Sequence, residues 1–593
     1  MPVTRSAPTL HCDLLVAGSG AGGLAAAVTA ARLGLKVLVV EKQARFGGTT
    51  AWSGGWMWVP RHALAVAAGI QEDIAAPLAY LRHELGPQFD ETRARAYLEQ
   101  APRMVDFFRS QTALQFVDGN TIPDFHGNSP GAATGGRSLC AAPFDARRLG
   151  AHLKQLQPPL WEMTLWGMGI ASADLRHFLQ ATRSWPSFKR VAGLLLRHAV
   201  DLALHGRSQR LVNGHALVGA LAASALEAGA EIRVSHPLRR LLLSGGRVTG
   251  AVVDTPGGEV HVHSTRGVVL ACGGFPHDLA RKRALLPHAP TGREHWSAAA
   301  WGNTGDGLRL GESAGGVVAR HLAQAAALAP VSLVPRAEGS VAHFPHLVER
   351  GKPGLLAVTR AGRRFTNEAD PYHDFIQGLL KATPAGQAPE AWLVCDHRFI
   401  RRYGLGAVKP APLPLGRWLR NGYLQRASTL NDLAQQCGMA PAGLQATVQR
   451  FNQQAQTGQD SDFAKGQTPY NRMQGDASAG HVNPCMAPLQ QAPFYAVKVL
   501  PGSLGTFAGL QVNKQAQVLD AADQAISGLY AVGNDMASIM GGHYPSGGIT
   551  LGPAMTYGFL AAEHAAGRSP SAAETAFFTH PTGDHRCTTN SPP

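Results

Sequence analysis

The chain contains no C-x-x-C pair. Its seven cysteines are scattered over 593 residues, which argues against a disulfide framework and fits a reducing cytoplasm. No metal site is read from them. No apolar run reaches the roughly 20 residues that span a bilayer. The longest candidate, Val191–Leu204, is broken by Arg197, His198 and Asp201. Met1–Leu10 lacks the apolar core of a secretory signal. Acidic side chains are short in supply, with 40 Asp and Glu against 54 Lys and Arg and a net charge of +14. The positive residues are dispersed and no nucleic-acid motif accompanies them, so no nucleic-acid partner is expected. One stretch uses its charge differently. Between Lys154 and Arg210, Trp161, Trp166 and Trp185 interleave with Arg176, Arg183, Lys189, Arg190 and Arg197. That mixture suits either a helical insertion packed on the main body or a peripheral contact with the inner membrane.

What is present is a dinucleotide-binding unit. The apolar run Leu14–Ala17 suits a buried parallel strand, and Gly18, Gly20 and Gly23 follow in the G-x-G-x-x-G positions. The first glycine permits a tight turn, the second lets backbone approach a pyrophosphate, and the third lets helix pack on strand. Ala21, Gly22 and Gly23 open a helix expected to reach about Leu33, with its amide end toward the phosphates. A second strand, Lys36–Val40, ends at Glu41, whose carboxylate is placed to accept from a ribose diol. Lys42 follows. A second glycine-rich turn then brings Gly48, Thr49, Thr50, Ser53, Gly54 and Gly55.

The rest of the chain suggests an α/β fold, a Rossmann-like dinucleotide-binding domain with an inserted α+β substrate (catalytic) domain. The first part of the dinucleotide-binding domain is expected over 9–330, with a helical insertion at about 151–210. The substrate domain follows over 331–499, where turns, tyrosine and charge become more frequent. A strand ending in glycine near 528–534 marks the return, so 500–568 reads as the second part. The Ser-, Thr-, Pro- and Ala-rich 569–593 reads as a disordered tail.

An acid followed within ten residues by GGTTAWSGG resembles the flavoproteins of the fumarate reductase and 3-ketosteroid dehydrogenase superfamily. ACGGF at 271–275, NTGDG at 303–307, GRRFTNEADPYHDF at 362–375 and GNDMASIMGGHYPSGGITLGPAMTYG at 533–558 carry the same resemblance. It implies FAD, held additionally by Gly273, Gly274, Asn303, Thr304, Gly305, Asp306, Gly533, Asn534, Gly548, Thr550 and Leu551. Fumarate reductases are expected to carry an arginine proton donor four residues after the glutamate of an Asn-Glu pair. Here Asn367-Glu368 is followed at that position by Tyr372, and the C-terminal glycine segment has no arginine to hold a dicarboxylate.

The tyrosines match the ketosteroid branch. The resemblance implies that Tyr544 and the Gly548 amide polarise a 3-keto oxygen, and that Tyr372 takes the α-proton. Phe125, Tyr372 and Tyr544 are then expected to bind substrate. An ordinary phenol is ionised to about one part in a thousand at pH 7, which costs the base about 4 kcal/mol. Two departures bear on which bond is desaturated. Asp124-Phe125-His126 lacks the tyrosine that assists the base in 1,2-dehydrogenases, leaving His126 and Tyr557 as substitutes. Ser546 in Tyr-Pro-Ser-Gly resembles the serine of 4-dehydrogenases, which would make it catalytic. The expected activity is 1,2-dehydrogenation of a 3-ketosteroid or similar hydrophobic cyclic ketone, with 4,5-dehydrogenation as the alternative. Fumarate-type reduction and a non-catalytic flavin protein are more distant. An external electron acceptor is the remaining partner.

Overall fold

The computed structural model describes residues 8–568; the tail expected at 569–593 lies outside them. Two sheets organise the chain. The elements that matter for the site are β1 (Thr9–Ala17), α1 (Ala21–Arg32), β2 (Val37–Glu41), α2 (Trp185–His205), α3 (Asn213–Glu227), β3 (Glu231–Val234), β4 (Leu238–Ser244), β5 (Arg247–Thr255) and β6 (Gly258–Leu270). They continue with β7 (Ala326–Pro335), β8 (Val341–Pro345), β9 (Leu355–Val358), α4 (Tyr372–Ala382), β10 (Ala391–Cys395), β11 (Phe494–Thr506), β12 (Gln517–Leu519), β13 (Ala525–Ala531) and α5 (Leu551–Ala565).

The first sheet runs β12-β13-β6-β1-β2-β3, with β4 and β5 extending it from β6. β3, β2, β1, β6 and β13 are mutually parallel. Their side chains are buried on both faces, and Leu14, Leu15, Val16, Val39, Val268, Val269 and Leu270 have no exposure. Register places Ala17 beside Val40 and Leu270, and Leu270 beside Ala531. The strands therefore end together, and the turns at 18–20, 272–274 and 533–535 converge at one edge, where open α/β sheets bind ligands. Gly245-Gly246 and Gly257-Gly258 make the two hairpins read from sequence.

Helix α1 covers this sheet with almost nothing larger than alanine, and Ala21–Ala30 are all buried. Small residues let α5 approach closely. A Cβ on Gly558 would stand 2.4 Å from the Gly22 carbonyl oxygen. The second sheet is antiparallel along β8-β7-β11-β10-β9. It takes in Trp296–Ser297 and Ala326–Pro335, and β11 runs through 494–506. It thus reaches across the 330/331 and 499/500 divisions that composition suggests. Helix α4 packs on it with Phe375, Ile376 and Leu379 buried.

The 151–210 stretch is a run of short helical turns ending in α2. Inner residues Val191, His198 and Asp201 are buried, while Trp185, Phe188, Leu196 and Leu204 are exposed. Among the described residues no helix is long and apolar enough to cross a membrane.

Candidate active site

A cavity of about 2400 Å³ runs from the strand ends of the first sheet to the second sheet. Its first half is the glycine cradle. Gly18 takes φ +108°, and a Cβ there would lie 2.1 Å from the Ala271 carbonyl oxygen, so no side chain fits. Around Gly20 only the Thr50 hydroxyl is near, at 3.5 Å, which leaves its backbone open to a ligand. Gly23 does not face the cavity: a Cβ would strike the Gly18 carbonyl oxygen at 2.1 Å, which is the helix-on-strand contact expected of the third glycine. Thr50 Oγ1 accepts from the Ala21 amide at 3.0 Å. Glu41 accepts from the Ser19 hydroxyl at 2.6 Å and the Gln43 amide at 2.9 Å. Burial raises its pKa against those hydrogen bonds.

Of the other residues expected to hold the cofactor, Gly20, Ala21, Gly22, Lys42, Gly48, Thr49, Ser53, Gly54 and Gly55 line this cavity. So do Gly273, Asn303, Asp306, Gly533, Asn534, Gly548, Thr550 and Leu551. Gly274, Thr304 and Gly305 stand behind the wall. A Cβ on Gly274 would meet the Thr506 hydroxyl at 2.1 Å, Gly305 takes φ +79° at the start of the helix Asp306–Ser313, and Thr304 Oγ1 accepts from Lys42 Nζ at 2.7 Å. Thr49 Oγ1 accepts from the Ala300 amide at 2.9 Å and the Asn303 amide group at 3.0 Å. Asp535 carries no signal of its own in the sequence. It is fully buried, accepts from the Gly274 amide at 2.8 Å and from the Cys272 amide, and burial pushes its pKa up to about 6. It is the hub that fixes the 272–274 turn. Cys272 is half-buried, and desolvation with the nearby carboxylate of Asp535 raises its pKa, which disfavours the thiolate.

The second half is aromatic. Tyr372, Tyr544 and Phe125 all line the cavity and pack on one another. Phe125 stacks on Tyr544 at 5.7 Å between centroids, and the rings of Tyr372 and Tyr544 meet edge-on at 4.9 Å. Each phenol acts on the ionisation of the other, Tyr544 raising the pKa of Tyr372 and Tyr372 lowering that of Tyr544. The Pro545 carbonyl sets this geometry by accepting from the Phe125 amide at 3.0 Å and the Tyr80 hydroxyl at 2.5 Å. Tyr372 is the first residue of α4, directly after Pro371, and its side chain leans toward the positive end of that helix. Burial raises the pKa of both phenols, Tyr372 the further. The hydroxyls of Tyr372 and Thr550 draw Tyr544 back down, and the Arg350 guanidinium does the same for Tyr372. Gly548 has φ +96°, with Met57 backbone 2.7 Å from where a Cβ would be. Among the described residues its N–H has no acceptor.

Ser546 is not on the cavity wall. It is buried, and its Oγ has no hydrogen-bond partner. Neither expected substitute for the missing loop hydroxyl reaches the cavity. His126 is held between Glu84 and Asp374, at 2.7 Å from the latter, and Tyr557 donates to the Arg93 carbonyl at 3.4 Å. His543 and His373 stay clear of the phenol oxygens, His373 Nδ1 accepting from the Leu328 amide at 3.2 Å. A different tyrosine, Tyr470, is in the site. Its ring lies 4.6 Å from that of Phe125, it lines the cavity, and its hydroxyl accepts from Gln474 Nε2 at 2.8 Å. Nothing local in Thr468-Pro469-Tyr470-Asn471 signals this, because only tertiary packing brings it to Phe125.

Residues 13–551 match the FAD binding domain family. The chain is 38% identical to 4-oxocyclohex-2-ene-1-carboxylate 5-dehydrogenase of Sinomonas cyclohexanicum over 558 residues, covering 93% of each. It is 35% identical to 3-oxosteroid 1-dehydrogenase of Mycobacterium tuberculosis, covering 93% of this chain and 98% of that one. Among solved structures it is similar to 3-ketosteroid Δ1-dehydrogenase of Sterolibacterium denitrificans in complex with 1,4-androstadiene-3,17-dione. That likeness has a TM-score of 0.87 and 36% identity, and covers 94% of this chain and all of the other. The open backbone at Gly20 and the excluded side chains at Gly18 and Gly548 fit a bound FAD, and the chain belongs to the FAD-dependent 3-ketosteroid dehydrogenase family, oxidoreductases acting on CH–CH groups.

Proposed function

We propose that the chain desaturates a 3-ketosteroid between the α- and β-carbons of its ketone, by 1,2-dehydrogenation. The observation that carries this reading is the corner where Tyr544, Gly548 and Tyr372 meet on one wall of the FAD cavity. Bound FAD supplies the hydride acceptor. The Tyr544 hydroxyl and the Gly548 N–H hold the ketone oxygen and stabilise the enolate that develops on it. Tyr372, as phenolate, removes the α-proton. The walls beyond the tyrosines, with Trp56, Val117, Ile122, Met163, Leu165 and Leu347, are apolar and suit a fused-ring body better than a small charged one. The 4,5-alternative needs a serine at the ring, and Ser546 lies outside the wall. Anaerobic mixing with a panel of 3-ketosteroids and 4-oxocyclohexanecarboxylates tests the reading. A 1-ene-3-one product by NMR, with bleached flavin, is expected from the steroids; bleaching by the small keto acids alone would overturn the substrate class.

Tyr470 supports the base in this reading. We assign its hydroxyl, which accepts from Gln474 Nε2 at 2.8 Å, the polar contact to the base that Phe125 cannot make. Tyr470→Phe is expected to lower kcat about tenfold with little change in KM, the size of one lost hydrogen bond to a charged group. Phe125→Tyr in that background is expected to restore most of the loss. An unchanged kcat in Tyr470→Phe would remove Tyr470 from the machinery.

The 154–210 surface we assign to an anionic membrane face, from which an apolar ketone would enter. Trp161 and Trp166 are more than half exposed yet line the cavity, and Trp185, Leu196 and Leu204 continue the apolar patch outward. Cosedimentation with phosphatidylglycerol vesicles is expected, and Trp185→Asp with Leu196→Asp should reduce it severalfold. A wild-type protein that stays in the supernatant would sink the idea. The reduced flavin is reoxidised by an external acceptor.

A further inference from the structure

The substrate half of the cavity has a charged end that neither the glycine cradle nor the tyrosine corner uses. Lys352, Lys409 and Glu349 line it, with the apolar Met163, Leu347 and Met473 beside them. Lys352 Nζ donates to the Gln474 carbonyl at 2.6 Å and the Gly475 carbonyl at 2.7 Å. Lys409 Nζ donates to the Glu162 carbonyl at 2.7 Å. Among the described residues neither ammonium has a carboxylate within ion-pair distance.

The acids around them are engaged elsewhere. Glu162 gives both oxygens to Arg336, at 2.8 and 2.9 Å. Asp476 accepts from Arg402 at 2.6 Å and from the Tyr403 hydroxyl at 2.7 Å. Cys485, also facing Lys352, is a thiol whose pKa burial pushes up to about 11. Glu349 accepts from His346 Nδ1 at 2.6 Å and is the one acid that acts on both lysines. One carboxylate thus faces two ammoniums, and the buried Arg350 adds a further cation beside it. Burial lowers the pKa of Lys352 and pulls that of Lys409 down to about 8, although Glu349 acts to raise both.

The short helix Pro469–Gln474 joins this end to the tyrosine corner. Tyr470, near its start, packs on Phe125 at 4.6 Å between centroids, and its last carbonyl accepts from Lys352. Six residues of helix are about 9 Å long. A fused-ring ketone seated at Tyr544 therefore points its opposite end toward the ammoniums, over the apolar side chains between. We propose that this opposite end carries a carboxylate and that Lys352 and Lys409 bind it. The substrate class is then a 3-ketosteroid acid, with its carboxylate on ring D or on a side chain there. The inference rests on the desaturase reading only for which end of the steroid faces Tyr544. An ammonium has three N–H donors, and the spare ones offer charge-assisted bonds that a neutral ester forfeits.

Equilibrium dialysis of holoenzyme tests this, with the flavin reduced by dithionite so that no turnover intervenes. The probes are 3-oxo-4-etienate, 3-oxo-4-cholenoate and the methyl ester of each. Near pH 7 at least one acid is expected to bind at least tenfold more tightly than its ester. That preference should fall at least threefold in Lys352→Met or Lys409→Met and survive in Lys409→Arg, which keeps the charge. It is a ratio within one protein, so partial loss of folded material does not move it. In the wild type it should also fade above about pH 8, as Lys409 loses its proton. A preference below tenfold, one that both methionine variants keep, or one that is flat from pH 7 to 10 would overturn the proposal. Should the variants not fold, the wild-type pH dependence decides. Flavin bleaching is followed separately: a protein that binds the acid through these lysines yet bleaches with no ketone sinks the desaturase reading alone.

Discussion

Replacing Tyr372 by phenylalanine is expected to slow steroid-dependent bleaching of the flavin roughly a thousandfold, within the range by which a positioned base accelerates proton transfer. The protein should fold as before. Tyr372 packs by its ring, edge-on to Phe125 at 5.5 Å and to Tyr544 at 4.9 Å, and phenylalanine keeps both contacts. FAD retention should also be unchanged, because the cradle at Gly18–Gly22, Thr49 and Thr50 is built from other segments. The pH profile gives a second readout. A phenol is competent as a base only when ionised, and burial holds Tyr372 well above the ordinary value near 10. Below that pKa the ionised fraction rises tenfold per pH unit. Wild-type bleaching is therefore expected to keep rising from pH 7 to beyond 9 without a plateau, while the residual rate of Tyr372→Phe stays flat. A wild-type rate independent of pH over that range would remove Tyr372 as the base.

Much of the cofactor half was legible from sequence because its constraints are local. Gly18, Gly20 and Gly23 act within one turn, and Glu41 ends the next strand, so spacing alone carries the reading. The tyrosine corner was legible only through the resemblance. Tyr372 and Tyr544 are 172 positions apart, and no periodicity links the start of a helix to a distant loop. Asp535 and Tyr470 escaped for the same physical reason. Each acquires its meaning from burial against segments far away in the chain: Asp535 from the 272–274 turn, Tyr470 from Phe125. Of the substitutes foreseen for the missing loop hydroxyl, Tyr557 turns to the Arg93 carbonyl and His126 is drawn off by charge. His126 has two carboxylates, Glu84 and Asp374, within reach, and they raise its pKa to about 10 and hold it away from the cavity.

Tyr544→Phe separates the two phenols. It removes one of the two donors to the ketone oxygen, and loss of one such donor typically costs about 3–4 kcal/mol of transition-state stabilisation, or 10²–10³ in rate. The other donor, the Gly548 N–H, survives because Trp58 still donates to the Gly548 carbonyl at 3.2 Å and fixes the loop. The ring left by the substitution would keep the stack on Phe125. What should not change is the slope of rate against pH, because the proton acceptor is still Tyr372. Loss of the Tyr544 hydroxyl also removes a neighbour that raises the pKa of Tyr372. The double variant should accordingly be less impaired than the product of the single losses, as expected of groups that act as one unit. The two phenol rings are in contact, and Tyr544 is the less strongly shifted of the pair, so the opposite division of labour makes a clear contrary forecast. In that case Tyr544→Phe would flatten the pH profile and Tyr372→Phe would preserve its slope, and the base would be the residue stacked on Phe125.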